Sequence, residues 1–395
     1  MQLHQRFGFV AVLVLCFVTH VVVAKPRPVV IWHGLGDSYD SDGMTRVSEI
    51  IKDIYPGIFI HSVYVNPDSE KDSKQSLFGK LDDQLAYVCD QLASIPELSS
   101  GFDGVGFSQG GLFLRAYVER CNSPPVGKLL TFGSPHNGVF DFPPCDKRDF
   151  ICRRRNAALK YQAYSYYAQD SVTVAQYYRD TERFEEYLER SAFLADVNNE
   201  REVKNETYKA NLASLEQLVM YLFLKDETVV PKESAWFANV DNKSGSLTML
   251  ENRELYKQDW LGLRELGESG RTHFRTIEGR HMSITDVAVI EFATQYLGTE
   301  EKGELREHDA SKKYAGGLTV TKNDDDNDIN DPKMLGVDKV DNDSISVNSN
   351  NLNGNDIDDP TVLGIDKVEN TGSRSGWVGS KLQTIFDAYS GRVYN

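Results

Sequence analysis

The stretch Gly104-Val105-Gly106-Phe107-Ser108-Gln109-Gly110 decides the fold of this chain. Within it, Gly106–Gly110 matches the pattern G-x-S-x-G, which is modest evidence by itself because glycine and serine are common residues. The setting makes the pattern informative, because a strand-like run precedes Ser108 and a helical stretch follows it. In such a strand-turn-helix the glycines permit a strained turn that places the serine hydroxyl above the sheet, at the amino end of the helix. Ser108 is therefore a candidate nucleophile rather than an ordinary loop serine.

Outward from this turn, strand-like apolar runs alternate with helical stretches between Pro26 and about Leu297. The alternation predicts a mostly parallel sheet with helices on both faces, and with the strained turn it predicts an α/β-hydrolase fold within residues 25–302. The predicted strands are Val29–Trp32, Phe59–Val65, Gly104–Phe107, the run that begins at Lys128, Leu218–Leu224 and His273–Gly279. The predicted helices around them include Leu81–Leu92, Gln109–Arg120 and Ser283–Leu297.

One stretch departs from the alternation, from Arg153 to about Leu215. It has no convincing strand pattern and is rich in tyrosine, so we predict a helical insertion between two strands of the sheet. Two interpretations are open at this point. The insertion is either a cap with an ordinary aromatic core, or a lid that forms an apolar groove.

The first 24 residues have the layout of a secretory signal peptide. Arg6 is the only full charge in them, and Phe7–Ala24 holds an apolar core of 12 to 13 residues that ends in VVVA before Lys25. This core is shorter than the roughly 20 residues of a membrane span. We expect cleavage after Ala24, no transmembrane span in the mature chain, and entry into the secretory pathway. The destination is the lysosome, the vacuole or the cell exterior, and an uncleaved signal anchor is the alternative.

Cysteine usage agrees with an oxidising compartment. Cys16 lies in the signal peptide, and the four cysteines that remain allow three pairings. Pairing between near neighbours gives Cys89–Cys121 and Cys145–Cys152, which are the disulfides we expect. Three sequons are possible N-glycosylation sites, at Asn205, Asn242 and Asn342.

The net charge of the 395-residue chain is −16, which excludes a general nucleic-acid binder because phosphate binding needs a basic face. Much of this charge lies in residues 322–370, which hold 13 Asp plus Glu against 4 Lys. A segment of low hydrophobicity and high net charge cannot offset the entropy of the chain. Residues 303–395 are therefore predicted to be a mostly disordered acidic tail.

The tail has two further features. The sequence of Asn327–Asn342 is repeated with a few changes 28 residues later, at Asn355–Asn370. We interpret the repeat as duplicated linker or, alternatively, as a duplicated short linear motif with an unknown partner. Near the end of the chain, apolar side chains at helical spacing predict a short amphipathic helix for a partner or a membrane surface. These side chains are Leu382, Ile385, Phe386 and Tyr389.

A serine nucleophile needs a base, and in this fold the acid and then the histidine follow the serine along the chain. His281 is the best base, because it lies in a loop directly after the predicted strand His273–Gly279 and before a predicted helix. Other histidines after the serine precede the acid, begin a strand or lie beyond the domain; they are His136, His273 and His308.

Asp226 is the predicted acid, because it lies two residues after the buried run Leu218–Leu224. Its role would be to fix the tautomer of the histidine and to stabilise the imidazolium. Asp241 and Asp259 are alternatives that lie farther from the end of a strand.

The oxyanion of an acyl-transfer intermediate needs two backbone N–H donors. One is expected from Gln109, the residue after the nucleophile, and the other from Leu35 in the glycine-rich loop that follows the first strand. The alternative is that His33–Gly36 is only a tight turn.

These motifs together resemble the palmitoyl-protein thioesterase family, over about residues 27–298. The segments that carry the resemblance are HGLGDS (His33–Ser38), GFSQGG (Gly106–Gly111), LTFGSPHNGV (Leu130–Val139), FLKDETVVP (Phe223–Pro231), YKQDWLGLREL (Tyr256–Leu266) and EGRH (Glu278–His281). By motif, the resemblance places the nucleophile on Ser108, the acid on Asp226 and the base on His281. It also implies the disulfides Cys89–Cys121 and Cys145–Cys152. A further cysteine pair of the family is absent here, where Tyr39-Asp40 occupies the region.

The resemblance implies hydrolysis of a thioester that links a long fatty acyl chain to a protein cysteine or to coenzyme A, through an acyl-serine and without a metal or an organic cofactor. Three alternatives stay open from sequence alone. The first is a secreted oxygen-ester lipase, which shares the triad and the fold, and the second is a related thioesterase for shorter or bulky-headed acyl groups. The third alternative, a catalytically silent hydrolase fold that acts as a binding module, is disfavoured by an intact triad.

Overall fold

The structure of the protein is a computed structural model that describes residues 26–142, 148–241 and 243–298. The predicted signal peptide and the acidic tail, with its repeat and its C-terminal helix, lie outside the described residues. So do Cys145 of the predicted second disulfide and the sequons at Asn242 and Asn342. None of the helices within the described ranges is long and apolar enough to cross a membrane.

The described chain contains eight strands: β1 Val29–Trp32, β2 Ile60–Ser62, β3 Phe102–Phe107, β4 Val126–Phe132, β5 Gln217–Phe223, β6 Asn239–Val240, β7 Leu247–Thr248 and β8 Thr272–Ile277. Six of them form one sheet in the order β2-β1-β3-β4-β5-β8, and every neighbouring pair is parallel. Strands β6 and β7 form a small antiparallel pair.

The α-helices of the described chain are α1 Asp42–Ile54, α2 Ser69–Leu77, α3 Leu81–Ala93, α4 Gln109–Arg120, α5 Phe150–Gln162, α6 Tyr166–Ser171, α7 Thr173–Gln176, α8 Phe184–Arg190, α9 Leu194–Val197, α10 Glu206–Ala213, α11 Glu254–Lys257, α12 Leu263–Glu268 and α13 Asp286–Tyr296. Helix α4 has the bounds that the sequence predicted. Helices α5 to α10 occupy the connection between β4 and β5.

The central strands β1, β3, β4 and β5 are mostly buried on both faces of the sheet, whereas the edge strands β2 and β8 are partly buried. Successive side chains of a strand point to opposite faces of the sheet, so each strand contributes side chains to two hydrophobic cores. In β5, Leu218 and Met220 join one core, whereas Val219 and Phe223 join the other. The first core includes residues of α3, α4 and the β4–β5 connection, and the second includes residues of α1 and α13. The sheet thus lies between two helical layers, which is the predicted α/β-hydrolase fold.

Most predicted boundaries differ from the structure by one or two residues, and two predicted elements are shortened at one end by three residues for local reasons. The predicted strand Phe59–Val65 is shortened to Ile60–Ser62, because the backbone N–H of Val65 turns to the carboxylate of Asp72 at 2.7 Å. The predicted helix Ser283–Leu297 begins only at Asp286, because the Thr285 side chain caps it.

A buried charge cluster holds part of the β4–β5 connection in place. Glu200 accepts hydrogen bonds from Arg179 at 2.8 Å, from Arg253 at 3.2 Å and from the Tyr187 hydroxyl at 2.6 Å. Burial alone would raise the pKa of Glu200, but the two guanidinium groups lower it below its ordinary value.

Cys89 and Cys121 form a disulfide that joins α3 to the end of α4. This confirms the first predicted pair.

Candidate active site

Ser108 lies in a strained turn between β3 and α4. Its backbone angles, φ of 51° and ψ of −125°, are unfavourable for a residue with a side chain. The glycines around it allow three elements to approach closely. A Cβ on Gly106 would lie 2.3 Å from the Cα of Gly111, and a Cβ on Gly110 would lie 2.3 Å from the carbonyl oxygen of Trp32. The G-x-S-x-G pattern is therefore needed for β1, β3 and α4 to meet at this turn.

The hydroxyl of Ser108, the ring of His281 and the carboxylate of Asp226 form a hydrogen-bonded chain. Ser108 Oγ lies 2.9 Å from His281 Nε2, and His281 Nδ1 lies 2.6 Å from Asp226 Oδ2. The three residues are far apart in sequence, but each follows a strand of the same parallel sheet. The carboxyl ends of parallel strands share one edge, so the structure brings together the three residues that the sequence singled out.

The surroundings of Asp226 determine which nitrogen of His281 carries the proton. Asp226 Oδ1 accepts hydrogen bonds from the backbone N–H groups of Thr228 at 2.8 Å and Val229 at 3.0 Å, and these bonds fix the orientation of the carboxylate. An ionised carboxylate can only accept hydrogen bonds, so its other oxygen accepts one from Nδ1–H of His281, and the proton of the neutral ring stays on Nδ1. Nε2 then presents its lone pair to the Ser108 hydroxyl.

The alternative acids lie elsewhere, in contacts of their own. Asp241 accepts the backbone N–H of Ser244 at 2.8 Å in an exposed turn. Asp259 lies 3.4 Å from the ammonium group of Lys209. Neither carboxylate is among the hydrogen-bond partners of His281.

The other histidines also lie in settings of their own. His136 is fully buried, stacks on the ring of Phe237 and lies 2.9 Å from the hydroxyl of Thr131. Burial lowers the pKa of His136 well below its ordinary value and keeps its ring neutral. His273 packs near Tyr296, and His308 lies outside the described residues.

The glycine-rich loop after β1 passes directly over the serine. A Cβ on Gly34 would lie 3.2 Å from the Cβ of Ser108 and 3.9 Å from its Oγ. Leu35, Ser108 and His281 line one cavity of about 330 Å³. Gln109 is the first residue of α4, where backbone N–H groups have no partner within the helix. The two predicted oxyanion donors, Leu35 and Gln109, therefore both belong to segments that adjoin the Ser108 hydroxyl.

The family model for palmitoyl protein thioesterase matches residues 28–281, a range that holds Ser108, Asp226 and His281. The chain belongs to the palmitoyl-protein thioesterase family. Palmitoyl-protein thioesterase 1 of Caenorhabditis elegans is 38% identical over 262 residues, which cover 66% of this chain and 88% of that protein. Palmitoyl-protein thioesterase 3 of Dictyostelium discoideum is 36% identical over 266 residues, which cover 66% and 86%. Lysosomal thioesterase PPT2-B of Xenopus laevis is 27% identical over 271 residues, which cover 68% and 89%.

Membership of this family makes the protein a thioesterase that acts on fatty acyl thioesters. The resemblance predicted from the sequence motifs is thereby confirmed. S-acylated proteins are accordingly its substrate class.

The thioesterase contains a supporting network that sequence reasoning missed. The carboxylate of Asp72, in the first turn of α2, is fully buried and accepts hydrogen bonds from the backbone N–H groups of Tyr39 at 3.0 Å and Val65 at 2.7 Å. It also lies 3.0 Å from Nε2 of His33. The segment Ser69–Leu77 is polar and charged, which in sequence is typical of a solvent-exposed helix. No signal in it separates Asp72 from its exposed neighbours.

Helix α2 also holds the glycine-rich loop of the thioesterase through two serines. The backbone N–H of Gly36 donates to Ser76 Oγ at 2.6 Å, and Ser73 Oγ donates to the carbonyl of Gly36 at 2.7 Å. The side chain of Gln109 donates to the carbonyl of Ser76 at 3.0 Å. Helix α2 thus connects the loop of Leu35 with the start of α4, the two sources of the expected oxyanion donors.

Replacing Asp72 by asparagine is expected to lower kcat of the thioesterase about 10- to 100-fold, with a much smaller change in KM. The amide NH2 of asparagine is a donor, and it would face a backbone N–H that now donates a hydrogen bond to the carboxylate. Because two donors cannot pair, the glycine-rich loop would shift relative to Ser108. Steady-state kinetics with a soluble palmitoyl thioester measure both constants. Asp90→Asn, on the exposed face of α3, is the matched control and should stay within about twofold of wild type. A loss confined to KM would contradict this positioning role.

Proposed function

We propose that the protein removes palmitoyl and similar long-chain acyl groups from protein cysteines, with Ser108 as nucleophile, His281 as general base and acid, and Asp226 as the residue that orients His281. The observation that carries the proposal is the hydrogen-bonded chain Ser108–His281–Asp226 in the wall of a largely apolar cavity. Acyl-coenzyme A contains the same reacting bond and is a second substrate in this proposal.

Acylation begins with the proton of the Ser108 hydroxyl. Nε2 of His281 accepts it while Oγ attacks the thioester carbonyl, and the new C–O bond forms as the carbonyl electrons move to oxygen. The N–H groups of Leu35 and Gln109 stabilise the oxyanion. When the tetrahedral intermediate collapses, the C–S bond breaks and His281 supplies its proton to the departing sulfur. The products are an acyl-serine and a free thiol.

Deacylation repeats these steps with water. His281 takes a proton from a water molecule, the resulting hydroxide attacks the acyl-serine carbonyl, and the same two N–H groups hold the oxyanion. Collapse breaks the bond to Oγ, and His281 returns the proton to Ser108. The fatty acid leaves and the enzyme is restored.

In this proposal the acyl chain lies in one part of the cavity. We call this part the insertion arm, because helices of the β4–β5 connection contribute to it. Val174 and Tyr177 come from this connection and are both nearly fully buried. The remaining apolar residues of the insertion arm are Val139, Phe142 and Val229. This lining supports the second interpretation of the tyrosine-rich segment, a lid with an acyl groove.

Replacing Val174 by phenylalanine is expected to lower kcat/KM for a palmitoyl thioester about tenfold or more, and to leave a hexanoyl thioester within about twofold of wild type. The larger ring would occupy the insertion arm, where a long acyl chain extends and a short one does not reach. Rates across a series of acyl chain lengths measure the change, with thermal unfolding as the check on folding. An unchanged chain-length profile in a folded variant would contradict the placement of the acyl chain.

The same assay separates the proposed function from that of a lipase. Palmitoyl thioester and palmitoyl oxygen ester differ only in the leaving atom, so their rates on one enzyme compare the two activities directly. We expect the thioester to be preferred. A preference for the oxygen ester would favour the lipase alternative that the sequence left open.

We further propose the secretory pathway and the lysosome as the location of the enzyme. The predicted signal peptide and the Cys89–Cys121 disulfide support this, as does similarity to relatives named lysosomal thioesterase. Asn205, a predicted glycosylation site, is exposed at the start of α10. Mass spectrometry of the peptide that contains Asn205, before and after treatment with a peptide N-glycosidase, tests this modification. We expect the treatment to remove the mass of the glycan.

A further inference from the structure

Apolar residues outside the insertion arm also line the cavity at Ser108. Its apolar lining divides between the two cores on opposite faces of the sheet. The insertion arm is lined from the core that includes α4, whereas the other end belongs to the core of α1 and α13. We call this other end the α1–α13 arm, and its residues are Gly43, Met44, Val47, Met282, Ile284 and Val289.

The chemistry of the thioester decides which half of the substrate enters which arm. The acyl carbon carries the fatty chain on one side and the sulfur on the other, so the two halves extend in different directions from Ser108 Oγ. The departing sulfur must lie within reach of His281 Nε2, which supplies its proton. Met282 is the next residue after His281 and Ile284 lies two residues farther on, and both line the α1–α13 arm of the cavity that His281 also lines. The arm therefore adjoins the residue that protonates the leaving group.

We propose that the α1–α13 arm is a leaving-group subsite that receives an apolar side chain next to the acylated cysteine of a polypeptide substrate. This inference rests on the proposed function and adds to it a preference on the thiol side of the bond. Met44, Val47 and Val289 are each at most 8% exposed and offer apolar surface only. A leucine or a similar side chain gains by leaving water for such a surface, and glycine gains nothing.

The charges that line the cavity near this arm favour a polypeptide over coenzyme A. Arg46 donates two hydrogen bonds to the carboxylate of Asp286, at 3.2 Å and 2.6 Å. Asp37 and Asp141 line the same cavity, so its lining holds three carboxylates and one guanidinium, which is already paired with Asp286. Asp141 pairs with Lys160 at 2.6 Å. A net negative lining repels the phosphates of coenzyme A and tolerates the basic or neutral residues of a peptide.

Gly43 provides a way to close the arm without disturbing the fold. It lies in the first turn of α1, and a Cβ built on it would have no heavy atom within 4 Å outside its own neighbourhood. Its φ is not in the left-handed region, so a larger residue fits the helix. Gly43→Phe would place a ring in the α1–α13 arm, and Gly43→Ala is the matched small substitution.

The experiment compares S-palmitoyl peptides that carry either leucine or glycine on both sides of the cysteine, together with palmitoyl-coenzyme A. For wild type we expect kcat/KM to be about tenfold higher for the leucine peptide than for the glycine peptide. Gly43→Phe should reduce this ratio to near one, because the leucine peptide should lose more activity than the glycine peptide. Gly43→Ala should keep the ratio. Palmitoyl-coenzyme A should be the poorest of the three substrates and should gain relative to the peptides in Asp37→Asn.

Val174→Phe, in the insertion arm, is the reciprocal control, because it should slow both peptides equally and keep their ratio. Equal rates for the two peptides in wild type, or an equal loss on both in Gly43→Phe, would overturn the leaving-group subsite. Failure of the proposed function has a different signature, because wild type would then hydrolyse none of the palmitoyl thioesters. Thermal unfolding of each variant separates a blocked arm from a misfolded chain.

Discussion

Replacing Ser108 by alanine is expected to lower kcat for a palmitoyl thioester by about 10⁶-fold, to the limit of detection. The change removes Oγ, the atom 2.9 Å from His281 Nε2, and with it the bond that would form in the acyl-enzyme. No neighbouring hydroxyl in the described hydrogen-bond network contacts that nitrogen, so no other nucleophile takes its place. Water activated by His281 alone would give only slow residual turnover.

The fold should survive this change, because alanine keeps the Cβ of Ser108 and the strained turn depends on the glycines around it. A melting temperature close to that of wild type is the control. Labelling with a serine-directed acyl probe, followed by mass spectrometry, should modify Ser108 in wild type and leave the variant unlabelled. Full activity in the variant would end the assignment of the nucleophile, and an inactive wild type would favour the silent binding module.

Replacing Asp226 by asparagine is expected to lower kcat by about 10⁴-fold with little change in KM. The reason lies in the two backbone N–H groups, of Thr228 and Val229, that donate to Oδ1 of Asp226. They would hold the amide oxygen of asparagine on their side, and the NH2 group would then face Nδ1 of His281. A donor in that position favours the tautomer with the proton on Nε2, which cannot accept the proton of Ser108.

Asp241→Asn is the matched control for this prediction, because Asp241 was an alternative acid and lies in an exposed turn. It should remain within about twofold of wild type. Steady-state kinetics on both variants decide between the two carboxylates. Activity of Asp226→Asn within tenfold of wild type would show that the orientation of His281 depends on another group.

The grouping of the three proposed catalytic residues was predictable from sequence because each of them follows a recognisable strand. Ser108, Asp226 and His281 come after the apolar runs of β3, β5 and β8, and a parallel sheet brings such positions to one edge. The glycines of the turn carry a signal of their own, since only glycine fits the close contacts at Gly106 and Gly110. Periodicity and turn chemistry are local properties, and they sufficed here.

The supporting residues were not predictable, because their roles depend on burial of charge. Asp72 reads as one more acidic residue of a polar helix, yet its carboxylate is fully buried. Glu200, Arg179 and Arg253 likewise read as surface charges, and they form a buried cluster instead. A buried charge is stable only with partners that lie far away in sequence, and a single sequence does not reveal those partners.

The position of β8 has a consequence for synthesis of the enzyme. His281 follows Ser108 by 173 residues, and β8, which precedes it, is an edge strand of the described sheet and pairs only with β5. A chain emerging from the ribosome therefore presents its serine long before the base that activates it. In the proposed mechanism, the acyl-enzyme forms only after β8 has docked and brought His281 to Ser108, so we expect chains that lack β8 to be inert toward acylated proteins. Turnover consequently reports complete folding of the domain more stringently than the presence of the serine does.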